Sequence, residues 1–158
     1  MTDRQTGRLL LALATAGFVA SALLHLATFT PYSLPGADVV ALALFAGAFV
    51  TLGAMIARLR RAGAPTRAWR GVEVYQWRAL AALVPPPLRV VTAGVALYTL
   101  MNFILSILLG EDRPAGVRLL TGHLLLFYLL PLLYFRFVDA RRTEIGSDVD
   151  RRDPQDSQ

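Results

Sequence analysis

Residues 9–29 read LLLALATAGFVASALLHLATF, 21 residues without a formal charge when His25 is counted as neutral. About 20 apolar residues in a helix, each rising about 1.5 Å, cross the hydrocarbon core of a bilayer. In that setting only a helix satisfies the backbone of such a stretch internally. Three further runs have the same character: 39–57 (19 residues), 90–109 (20 residues) and 119–135 (17 residues). The last extends to Val138 when Arg136 snorkels to the interface. None shows the alternating polarity of a barrel strand. The prediction is an all-α protein, an antiparallel bundle of four transmembrane helices spanning about 9–29, 39–57, 90–109 and 119–138.

Composition agrees. Of 158 residues, 55% are hydrophobic, and the mean hydropathy is +0.50. A soluble domain of this size has no core large enough to hide that much apolar side chain. The absence of cysteine rules out a disulfide framework, a thiolate metal site, a cysteine nucleophile and an iron–sulfur cluster. The formal charge of +5 comes entirely from arginine on the basic side, since there is no lysine. That bias reads as a high-GC bacterial genome. The charge reads as loop orientation, with no nucleic-acid partner implied.

The connections and their arginines set the topology. Residues 30–38 (TPYSLPGAD) and 110–116 (GEDRPAG) are short turns joining antiparallel neighbours. Fourteen of the sixteen arginines lie in the N-terminus, the 58–89 linker and the tail, and only Arg113 and Arg118 fall on the other side. The positive-inside rule then places both termini and the linker in the cytoplasm, in a bacterial cytoplasmic (inner) membrane, multi-pass. Ala20-Ser21-Ala22 also resembles a signal-peptidase site, but the apolar run continues to Phe29, which favours an uncleaved first span.

Residues 66–84 form a second feature. Trp69, Val72, Tyr75, Ala79, Leu80 and Leu83 share one helical face, while Arg67, Arg70 and Arg78 share the other. Trp77 lies near the polar face and Gln76 interrupts the apolar one. This is a basic amphipathic helix suited to lying in the cytoplasmic headgroup layer, with Arg67, Trp69, Arg70, Trp77 and Arg78 at the membrane surface. Pro85-Pro86-Pro87 ends it. Residues 1–142 thus form a membrane domain, and 143–158 (TEIGSDVDRRDPQDSQ) a disordered cytoplasmic tail.

Polar groups inside a membrane are costly, so function is sought there. No Asp, Glu or Arg interrupts the interior of a span. A proton-coupled transporter or an ion channel normally needs one, so a small dimeric transporter is the least favoured reading. The two histidines, His25 and His123, each lie four residues from the same end of their spans, about 6 Å below the boundary. Ser21, His25 and Thr28 share a face of the first helix, and Thr99, Asn102 and Ser106 share a face of the third. If these faces turn inward, His25, His123, Asn102, Ser21, Thr28 and Ser106 form a polar pocket in the outer leaflet.

Three readings of that pocket stay open. The groups hydrogen-bond between helices. Or His25 and His123 are axial ligands of a b-type haem. Or the pocket takes a quinone, lipid or other small ligand. A two-histidine zinc site is poor without a carboxylate or thiolate. No nucleophile is partnered with either histidine, which leans against an enzyme. Small-residue pairs, Gly17 with Ser21 and Ala43, Gly47 with Thr51, allow close helix contact, in the bundle or in a homo-oligomer. Pro131 predicts a kink, and Tyr134 fits an aromatic belt at the membrane surface.

The segments QWRAL…PPPLRVVTAGVALYTLMNF (76–103), TGHLLLFY (121–128) and Leu24-His25-Leu26 resemble a family of small, uncharacterised bacterial proteins with four membrane helices. The resemblance covers most of the chain except the tail. Leu124-Leu125 stands where the family pattern has Trp-Met, and the 110–116 turn is shorter than the family's. The resemblance implies the four-helix fold and no activity. The resulting expectation is a non-enzymatic accessory or assembly subunit, partnered by the bilayer and by another membrane protein or its own copy.

Overall fold

The computed structural model describes residues 3–30, 35–61, 82–109 and 113–139. They form four long helices, α1 (Asp3–Ala27), α2 (Ala37–Arg61), α3 (Pro86–Leu109) and α4 (Arg113–Leu133), the last continuing as a π-helical segment, Tyr134–Asp139. No strand occurs among the described residues. All four helices contain a stretch long and apolar enough to cross a membrane: Asp3–Ala27, Ala37–Arg61, Pro86–Leu105 and Val117–Asp139. The predicted interfacial helix lies outside the described residues apart from 82–84, as do Arg67, Trp69, Arg70, Trp77 and Arg78 and the 143–158 tail.

The helices outrun the apolar stretches that announce them. α1 begins at Asp3, whose carboxylate suits the positive end of the helix dipole, and α2 ends on Arg58, Arg60 and Arg61, which suit the negative end. The proline triplet does more than interrupt the chain. Pro86 and Pro87 occupy the first turn of α3, where a missing N–H costs nothing, and the Pro85 carbonyl accepts from Leu88 N and Arg89 N at 3.0 and 3.2 Å. Gly36, just before α2, has φ +77°, a conformation that other residues adopt only with strain.

α4 is the hub: it packs against α1, α2 and α3, while α1 also packs against α2. Tyr128 organises the trio of α1, α2 and α4. Its side chain is fully buried beside Leu124 and Ala48, and its hydroxyl donates to the Leu44 carbonyl at 2.6 Å. The ring reaches this position because both neighbours lack a side chain there. A Cβ on Gly17 would stand inside the Tyr128 ring, and one on Gly47 would lie 2.5 Å from its hydroxyl. Of the small-residue pairs named above, Gly17, Ser21, Gly47 and Thr51 therefore serve the bundle interior, whereas Ala43 is exposed. α3 is different: only 6% of its span is buried, against 44% for that of α4.

In α4 helical structure continues through the buried Pro131 to Leu133, and π-helical turns follow it. One expectation about α4 is revised. Tyr134 is not a belt residue: it is buried with Met55, Phe135 and Val138 in an apolar cluster. At this end Arg58 ties three elements together. It is paired with the Asp139 carboxylate, reaches the Asp3 carboxylate and carbonyl at 3.0 Å each, and lies 5.9 Å from the Phe135 ring centre.

Candidate functional site

His25 is buried where the end of α1 meets the start of α4 and the middle of α3. Its Nδ1 lies 2.9 Å from Thr121 Oγ1, and its Nε2 is hydrogen-bonded to the Tyr98 hydroxyl. The Thr121 hydroxyl has one proton, and it lies 2.8 Å from the Val117 carbonyl and 3.2 Å from that of Arg118. Thr121 therefore donates to its own helix and accepts from His25 Nδ1–H. In the neutral imidazole Nε2 is then the acceptor, and Tyr98 donates to it. The chain Tyr98, His25, Thr121, Val117 carbonyl crosses from α3 through α1 to α4.

The other polar groups of this layer bind backbone. Thr99 Oγ1 donates to the Gly122 carbonyl at 3.2 Å, and Asn102 Nδ2 to the Arg118 carbonyl at 3.4 Å. A Cβ on Gly122 would fall 2.6 Å from Asn102 Nδ2 and would make that side chain shift. Arg118 closes the top of the site. Its Nη2 donates to the Thr28 carbonyl at 2.9 Å, one of the orphan acceptors at the end of α1, and its guanidinium stacks 4.5 Å from the Phe29 ring centre. Phe29 meets the His25 ring edge-on at 5.3 Å.

Of the residues singled out from the sequence, His25 and Asn102 belong to this layer. Thr28 contributes its carbonyl, while its hydroxyl turns back to the His25 carbonyl at 2.6 Å. Ser21 is fully buried, and its hydroxyl finds no partner among the described residues; the same holds for Arg118 Nε. Ser106 lies in α3 with its side chain outside the described ones. His123 stands apart. Its Nδ1 bonds the Leu119 carbonyl at 2.8 Å, and its ring lies between Phe103 and Phe127, with centroids at 5.6 and 6.4 Å. Thr121, the partner of His25, and His123 are about 200° apart around α4.

This arrangement bears on chemistry. Both nitrogens of His25 are engaged, so neither is open to an axial iron bond in this geometry. The hydrogen-bond chain ends on a backbone carbonyl, which accepts a proton's hydrogen bond but passes no proton on. Among the described residues no group of three or more His, Cys, Asp or Glu could hold a metal ion. Tyr98, Thr121 and Arg118 were not singled out as site residues from the sequence. The signal for Tyr98 and Thr121 was present in the Tyr–Asn spacing of α3 and the Thr-Gly-His run of α4, and neither feature includes Arg118. No family model, curated protein or solved structure matches the chain.

Proposed function

We propose that the chain is a non-catalytic, multi-pass subunit of a bacterial cytoplasmic membrane, with antiparallel spans, both termini on the cytoplasmic side, and an accessory or assembly role beside another membrane protein. Membership in the small four-helix family that it resembles is part of the same proposal. The observation that carries the reading is the use of His25: its two nitrogens join α3 and α4 to α1, which is the work of a helix tie. Support also comes from α3, which is held mainly by α4 and leaves most of its surface open. A photo-reactive residue at Leu97 or Leu100, both exposed on α3, tests it in native membranes. One discrete protein adduct is the expected result, and adducts with lipid alone overturn the accessory role.

A second reading is favoured by the orphan Ser21 hydroxyl and Arg118 Nε. These are the donors a small polar ligand in the outer leaflet would use. Substituting Ser21→Ala separates the two readings. Removing an unpartnered buried hydroxyl raises stability by up to about 1 kcal/mol, whereas removing a hydroxyl that holds a ligand lowers it.

A further inference from the structure

α2 and α3 both pack on α4 yet scarcely meet each other. At the arginine-rich end this leaves a cavity of about 490 Å³, within the range of small-ligand sites. Met55 and Leu59 of α2 form one wall, Ala93 and Ala96 of α3 the other, and Leu126 and Leu130 of α4 the floor. The lining is almost wholly apolar along its length and changes character at one end, where Arg89 stands. The small side chains of Ala93 and Ala96 keep the cavity open. A larger residue at either position would fill it.

Among the described residues, Arg89 is the only charged one of the lining. Its Nε donates to the Val84 carbonyl at 2.7 Å and its Nη2 to the Ala82 carbonyl at 3.1 Å, which fixes the guanidinium over the first turn of α3. Two of its five N–H donors are thereby used, and the remaining ones have no partner among the described residues. The backbone cannot supply that charge itself. Pro86 and Pro87 have no N–H, and those of Leu88 and Arg89 already bond the Pro85 carbonyl. An apolar slot with one anchored guanidinium at its mouth is complementary to a molecule with a long apolar tail and a single anionic head.

We propose that this cavity is a binding site for one anionic phospholipid of the arginine-rich leaflet, an acyl chain lying between α2 and α3 and the phosphate meeting Arg89. The inference rests on the chain spanning a membrane and not on the accessory role. Bound lipid here fills space that helix packing leaves open and couples α3 to α2 at the end where no side-chain hydrogen bond among the described residues does so.

The test uses the full chain, purified in mild detergent and exchanged against phosphatidylglycerol or phosphatidylcholine of identical acyl composition. Native mass spectrometry then reads the lipid retained. The expected result is one retained phosphatidylglycerol per chain, preferred over phosphatidylcholine by about fivefold, because the choline cation offsets the phosphate charge that Arg89 meets. Arg89→Gln abolishes the preference, and Ala96→Phe abolishes retention. Equal retention of both lipids by the unmodified chain overturns the proposal, as does retention unchanged by Ala96→Phe or a co-purifying quinone in the lipid's place. A photo-reactive acyl chain on phosphatidylglycerol gives a readout independent of any variant. Adducts concentrated at Met55, Ala93 and Leu126 support the site, and adducts spread along the exposed face of α3 overturn it.

Discussion

α4 meets α1 and α2 on one side and α3 on the other, and the two contacts are made differently. Toward α1 and α2 the contact is built around shape, with a few hydrogen bonds added. A tyrosine ring enters a space that two glycines leave free, and apolar side chains close around it. Toward α3 the contact is a pair of hydrogen bonds near one end, Thr99 to the Gly122 carbonyl and Asn102 to the Arg118 carbonyl, beside the bond from Tyr98 to His25 of α1, with an open cavity near the other end. Lipid tails are as apolar as leucine, so burying an apolar helix face gains little in a membrane. Close fit or polar bonding must supply the affinity; the side toward α1 and α2 uses both, and the side toward α3 relies on hydrogen bonds.

The comparison predicts where substitutions act. The largest effect belongs to the shape-held side. Gly17→Ala drives a Cβ into the Tyr128 ring and costs about 3 kcal/mol in detergent unfolding. Tyr128→Ala in the same chain makes the combined loss smaller than the sum, since the clash is gone. A Gly17→Ala loss below about 1 kcal/mol, the usual scale of surface changes, would deny the ring its assigned seat.

His25→Ala comes next, at about 1–2 kcal/mol, because it leaves Tyr98 and Thr121 without their shared partner. Its signature is regional. Hydrogen exchange quickens in α3 while the amides around Gly47 and Tyr128 hold, and uniform quickening would erase the distinction between the two sides. Arg58→Gln is expected to cost about 1 kcal/mol, of which the share from the exposed Asp3 shrinks as salt rises while the share from the mostly buried Asp139 does not. Tyr98→Phe has the smallest effect, about 0.6 kcal/mol, the typical worth of one hydrogen bond between membrane helices. It should move α3 in the direction of His25→Ala, only less.

The number and position of the helices were legible in the sequence, because membrane spans announce themselves by length and hydropathy. Their true ends were less so. A count of apolar residues stops at the last one, whereas the helices at Asp3 and Arg61 run on into charged turns that the helix dipole favours. Within the site, His25 stood out because a lone imidazole in a leucine run is conspicuous. Its partners did not, since Tyr98 and Thr121 are ordinary residues until three helices bring them together. Matching depth puts His25 and His123 at one level of the bundle. Depth fixes position along a helix and says nothing of rotation about it, and rotation puts Thr121 rather than His123 against His25. The glycines showed where helices approach closely, but only the packing shows that a tyrosine fills the approach.

The π-helical segment after Leu133 holds a last consequence. Such a segment is what an α-helix becomes when it absorbs one surplus residue without breaking. Here the surplus lies immediately before Asp139, the residue paired with Arg58. Deleting one residue between Phe135 and Val138 would let the turn relax to α geometry and leave Asp139 facing its arginine, because the wider turn is what takes up the surplus residue. The segment thus accommodates an added residue without moving a fixed charge. Among natural variants of this protein, a one-residue gap in this stretch should therefore be found with both Arg58 and Asp139 kept.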